Sequence, residues 1–112
     1  MLKELGKLSL AVSAVRMLDD ALPVQTLAVF LEIARNEGIS INELCDKVGL
    51  ASSSASRNVA ALSDRHWLNK PGLGLVETLP DPKDLRRKTV RLTAKGRQLK
   101  KQMAAMIGEG QT

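Results

Sequence analysis

The sequence predicts a mostly helical α+β fold: a helix-turn-helix, then a two-stranded hairpin, with a further helix at each end. Three observations predict it. Apolar residues recur at helical steps of three and four through most of the chain. Two short helical segments meet at Gly49, joined by about four residues. Between Leu73 and Leu92 the helical period gives way to two strand-like runs parted by Pro80-Asp81-Pro82.

The first element spans Leu2 to Asp20. Leu5, Leu8, Val12 and Val15 alternate steps of three and four, and Leu22 extends the row. So narrow a stripe suits a helix–helix seam; the alternative is packing against the protein's own body. Pro23 fits the first turn of a new helix, where its fixed φ helps and no amide hydrogen is needed. That helix, Val24 to Asn36, carries Val24, Leu27, Phe30, Leu31 and Ala34. Gly38 follows as its left-handed cap.

Ile39 enters a short extended piece. Ser40 and Glu43 stand at capping-box spacing ahead of a helix from Ile41 to Val48. It buries Ile41, Leu44, Cys45 and Val48, and Gly49 stops it. Ser52 or Ser53 caps the next helix. There Ala55, Val59 and Leu62 form the buried side. Ser53, Arg57, Ala61 and Asp64 form the opposite side, with Ser54 beside them. Leu73–Leu79 and Lys88–Leu92 read as strands. Pro80-Asp81-Pro82 turns the chain between them, and proline excludes a regular ladder there. Thr93 caps a last helix, Ala94 to Ile107, with Leu99, Met103 and Met106 or Ile107 on its apolar side. Gly108 to Thr112 reads as a polar tail.

This order is that of a winged helix, with the hairpin as the wing. Charge follows the same division. Residues 1–56 hold five basic and seven acidic side chains, whereas residues 57–101 hold twelve basic and four acidic ones. A basic second half on a near-neutral body fits a polyanion-binding surface; the bland alternative is a solvated face. Lys83, Arg86, Arg87, Lys88 and Arg91 crowd the hairpin. A wing beside a duplex would set such cations on phosphates or in the narrow minor groove. The helix before it would enter the major groove with Ser53, Ser54 and Arg57 outward. An arginine there can bond guanine in bidentate fashion. Arg91 alternates with Val90 and Leu92 and faces outward.

The wing resembles that of the MarR family of bacterial transcription regulators. Their motif runs Asp-Pro-x-Asp-x-Arg, then Leu-Thr-x-x-Gly. Here it stands as Asp81-Pro82-Lys83-Asp84-Leu85-Arg86 and Leu92-Thr93-Ala94-Lys95-Gly96. Ser54-Ala55-Ser56-Arg57 is similar to the family's recognition helix, and the resemblance covers Leu22 to Met103. It implies that Arg86 enters the minor groove and that Asp84 aims it. It also implies a dimer built from the terminal helices. The sequence departs from the family in the Asn69–Gly74 segment, in Leu85 and Arg87, and in a short C-terminal region with one helix of about three turns.

The expectation is therefore one domain, 1–112. Residues 1–22 form an N-terminal dimerisation helix, 23–93 the winged helix-turn-helix with its wing at about 73–92, and 94–112 the C-terminal helix and tail. Expected DNA contacts are Ser52, Ser53, Ser54, Ser56, Arg57, Asn58, Lys83, Arg86, Arg87 and Lys88. Expected dimer contacts are Leu5, Leu8, Val12, Val15, Leu99, Met103 and Met106. The expected partners are a second copy and double-stranded DNA with two half-sites ~10 bp apart. The function implied is transcriptional regulation, as a repressor. The alternatives are a protein-interaction module with an acidic partner, and non-sequence-specific DNA binding in a mobile element.

Other classes find little support. No run approaches the ~18 apolar residues of a membrane span, and Glu4, Lys7 and Arg16 interrupt any signal-peptide pattern. A lone cysteine, Cys45, allows no internal disulfide, so a cytoplasmic location is expected. Cys45 reads as a small core residue. His66 has no companion at metal-ligand spacing, and Trp67 reads as packing at the end of the recognition helix. No phosphate-cradling glycine motif or nucleophile–base set appears, so neither cofactor nor catalysis is expected.

Overall fold

The computed structural model describes residues 2–64 and 71–108. They form α1 (Leu2–Arg16), α2 (Val24–Arg35), β1 (Ile39–Ser40), α3 (Ile41–Val48) and α4 (Ser52–Leu62), then β2 (Val76–Asp81), β3 (Asp84–Leu92) and α5 (Ala94–Ile107). The strands pair antiparallel in the order β1-β3-β2. The fold is the expected winged helix. Phe30, Ile33, Leu44, Leu62, Leu75, Val76, Val90 and Leu92 fill its aliphatic centre.

Side-chain caps set the starts of two helices. Ser40 Oγ accepts from Glu43 N–H at 3.1 Å while Glu43 Oε1 accepts from Ser40 N–H at 3.4 Å, closing the capping box. Thr93 Oγ1 accepts from Gly96 N–H at 3.1 Å and donates to Gly74 O at 2.6 Å. The Leu-Thr-x-x-Gly run is thus three parts of one joint. Leu92 is core, Thr93 caps α5, and Gly96 lets the helix approach Leu75, whose carbonyl oxygen would lie 2.0 Å from an added Cβ.

Several boundaries differ from the sequence reading. α1 ends at Arg16, not Asp20. Asp19 Oδ1 accepts from Ala21 N–H at 3.0 Å, a local bond that competes with continued helix. Leu22 lies beyond this turn and packs against the core. Pro23 is the residue before α2 rather than its first. α4 has Ala51 as its N-cap, with no side-chain cap, so neither Ser52 nor Ser53 plays that part.

β2 begins at Val76, not Leu73. Residues 72–75 instead donate to carbonyls at the end of α4 and just beyond it: Leu73 to Ala61, Leu75 to Leu62, Gly74 to Ser63 and Gly72 to Asp64, at 2.7–3.1 Å. Those carbonyls have no partner within the helix, and the chain leaving α4 supplies one. The ladder also survives Pro80, which pairs with Lys88 ahead of a register shift at Asp81. β2 is the edge strand, where a missing N–H costs no ladder bond. β3 consequently starts at Asp84 rather than Lys88.

α1 lies along α5 within the protomer. This corrects part of the expected dimer seam. Val15, Leu99 and Met103 are buried in the protomer's own core, and Met106 packs against it. Val12 is half-buried, while Leu5 and Leu8 remain exposed. Cys45 is half-buried, on the side of α3 that also carries Ile41 and Val48. Expectations for His66 and Trp67 fall outside the described residues.

Candidate nucleic-acid interface

The turn between α3 and α4 is made by backbone. Gly49 takes a left-handed conformation, φ 74°, and its N–H donates to Cys45 O at 2.8 Å. Leu50 N–H donates to the same oxygen at 3.1 Å. α4 then lays Ala55, Val59 and Leu62 into the core. Ser52, Ser53, Ser56 and Arg57 are exposed on its outer side, and Ser54 is half-buried at the flank.

Asn58 departs from the expectation. It is 9% exposed and faces α2. Its Oδ1 accepts from Thr26 Oγ1 at 2.6 Å. Its Nδ2 donates to Gln25 Oε1 at 3.0 Å and to Ser54 O at 2.8 Å. With its hydrogen-bonding capacity turned inward, Asn58 is not available to DNA in this structure. The signal was present in the spacing: Ala55, Asn58, Val59 and Leu62 make an i, i+3, i+4, i+7 stripe, and a polar letter in it marks an internal hydrogen-bonding site.

The wing turns at Pro82-Lys83. Asp81 Oδ1 accepts from Lys83 N–H at 2.9 Å, holding the turn from its first residue. Asp84 Oδ1 accepts from both Arg86 N–H at 3.1 Å and Arg86 Nε at 3.3 Å. The guanidinium is thus tethered at its root while the side chain stays 92% exposed. Arg87 bends the other way, its Nη2 donating to Ser40 Oγ at 3.4 Å. Lys83, Arg87 and Lys88 are exposed. Arg91 faces outward as expected and pairs across the ladder with Glu77 at 2.5 Å.

Helix and wing flank one cleft. Ser56 and Ala60 of α4, Ile41 of α3, and Thr78 and Lys88 of the hairpin line a space of about 340 Å³. A second, of about 250 Å³, lies between the start of α3 and Arg86, Arg87 and Lys88. It brings in Asn42, exposed at the start of α3, which the sequence reading missed. The pairing of Ser40 with Thr89 places it there, a long-range contact that local spacing does not reveal. Among the described residues no group of three or more His, Cys, Asp or Glu side chains could hold a metal ion, and no helix is long and apolar enough to cross a membrane.

A sequence profile of the winged helix DNA-binding domain matches residues 22–96. The chain belongs to that family. No curated protein matches it by sequence. Among solved structures, this winged helix is similar to those of MarR-type transcriptional regulators. The PcaV transcriptional regulator from Streptomyces coelicolor, in complex with its natural ligand, superposes with a TM-score of 0.61 at 25% identity. That match covers 80% of this chain and 57% of PcaV. A MarR transcriptional regulator from Methanosarcina mazei Go1 gives 0.67 at 23% identity, covering 87% of this chain and 63% of the other. The MepR–DNA complex from S. aureus gives 0.71 at 16% identity, covering 93% and 77%. The winged helix here thus spans less than two thirds of the PcaV and M. mazei chains.

Proposed function

We propose that this winged helix binds double-stranded DNA as a sequence-reading transcriptional regulator, a homodimer that represses by occluding polymerase. The observation that carries the reading is the shared cleft: Ser56 on the outward side of α4 and Lys88 of the basic wing border one space. A duplex seated there would take α4 in its major groove, with Ser53, Ser56 and Arg57 toward base edges or phosphates. Lys83, Arg87 and Lys88 would meet phosphates, which position the protein without reading sequence. Arg86, aimed by Asp84, would enter the flanking minor groove.

Dimerisation is supported by the apolar surface left on α1. Leu2 is 83%, Leu5 52%, Leu8 53% and Leu10 56% exposed. A second copy covering this face would remove it from water and place two recognition helices on one duplex, reading a pseudo-palindrome. No cofactor enters this reading.

Fluorescence anisotropy with labelled random duplexes between 50 and 200 mM salt tests the DNA-facing part. Each phosphate contact contributes a slope of about −0.9 in log affinity against log salt. Replacing Lys83, Arg87 and Lys88 together by alanine should flatten the slope by roughly two to three units. An unchanged slope in the folded triple variant would remove the wing from the interface.

A further inference from the structure

We infer that Asn58 is a positioning residue: with Thr26 and Gln25 it fixes the roll of α4 about its own axis, and so the direction in which Ser56 and Arg57 are presented. This rests on the reading of α4 as the groove-entering helix. The other buried contacts of α4 are Ala55, Val59 and Leu62, all apolar. Such contacts are non-directional, so a small roll costs them little. The Asn58 amide is different. It is 9% exposed, and Thr26 is 3% exposed. The Thr26 Oγ1–Asn58 Oδ1 bond is 2.6 Å and the Asn58 Nδ2–Gln25 Oε1 bond 3.0 Å.

Both partners belong to the first turn of α2, more than thirty residues earlier in the chain. Hydrogen bonds weaken steeply when bent, and a buried amide left unpaired is penalised, so one roll angle is selected. A cavity of about 710 Å³ opens beside the network, lined by Leu22, Gln25, Thr26, Ser54, Arg57 and Asn58 among others. On that side the Asn58 network ties the middle of α4 to α2, while the backbone bonds from Leu73 and Leu75 hold only its last turn. Arg57 immediately precedes Asn58 in the helix, so a roll would carry its side chain sideways across the groove.

The test uses the full chain carrying Thr26→Val with Asn58→Leu, and Thr26→Ser as the conservative control. Three properties are read: the unfolding midpoint, amide exchange along α4 in the free protein, and the affinity ratio between wild-type-selected and scrambled duplexes at one salt. Replacing both partners by apolar groups of similar shape leaves stability nearly unchanged. The double variant should therefore melt near wild type while its α4 amides exchange faster. Its discrimination should fall about tenfold, the value of one misdirected base contact, with the salt slope preserved. Thr26→Ser, which keeps the hydroxyl, should leave both exchange and discrimination at their wild-type values.

Unchanged α4 exchange and discrimination in the double variant would overturn the proposal. So would an equal loss of specific and scrambled-duplex affinity, which is what simple unfolding produces. A wild-type protein with no sequence discrimination at all would defeat the regulator reading separately. Exchange in the free protein would then decide the positioning role alone, faster for it and unchanged against it.

Discussion

Arg86 is 92% exposed, so its ion pair with Asp84 contributes little to folding, ~0–1 kcal/mol. Arg86→Ala should leave the melting curve in place and weaken duplex binding; unchanged affinity at matched salt would contradict the minor-groove role. Gly96 is the opposite case, a buried residue of α5 whose replacement should hurt the fold. Alanine there would put a methyl 2.0 Å from the Leu75 carbonyl, and backbone must move to admit it. Denaturant unfolding of Gly96→Ala should show a loss of ~1–3 kcal/mol, the usual cost of overpacking. Residues whose partners lie within a few positions were legible in the sequence. The Ser40–Glu43 box depends on local spacing alone, whereas the Asp84–Arg86 contact was implied by the resemblance of the wing. Asn58 was misread because its partners, Gln25 and Thr26, are distant in sequence and close only after α2 packs on α4.

At the scale of elements, the order of helices and strands could be read from periodicity, but several ends could not. Where an element stops depends on which backbone groups find other partners. The segment before β2 bonds the carbonyls at the end of α4 and just beyond it, which delays β2 to Val76. The Asx contact of Asp19 ends α1 early, and an edge position lets β2 run through Pro80. The uncapped start of α4 offers a test of the same logic. Ala51→Ser should supply the missing acceptor and stabilise the protein by ~0.5–2 kcal/mol in chemical denaturation. No gain would mean that the N–H groups of the first turn are already satisfied. The corner after α2 should respond to pH. Glu37 Oε1 accepts from Leu92 N–H at 3.0 Å and from Arg97 Nη2 at 3.1 Å. Burial pushes its carboxyl up, but the Leu92 amide, Arg97 and Lys100 together hold it below its ordinary value. A carboxyl lowered on folding contributes stability that is full above its unfolded pKa of about 4.3 and is lost as pH falls through the folded value. Glu37→Gln should therefore be less stable than wild type at neutral pH, with the gap closing below about pH 4. A gap of constant size across that range would contradict the assignment.

For the whole molecule, helical periodicity showed that α1 and α5 carry apolar stripes without showing what covers them. The structure divides those residues. Val15, Leu99 and Met103 close the protomer's own core, and Leu5 and Leu8 are left facing outward. A dimer built on the outward set makes a clear distinction: Leu5→Asp with Leu8→Asp should sediment as a folded monomer, whereas Val15→Asp should unfold the protomer. The proposed function has two such protomers read a two-fold symmetric DNA site through α4 and the wing. It is tested most directly by selecting bound duplexes from a random library at about 150 mM salt, near physiological ionic strength, and sequencing them. The expected result is enrichment of a pseudo-palindrome with half-sites about one helical turn apart, ~10 bp. Retained DNA with no enriched motif, or no retained DNA, would contradict it.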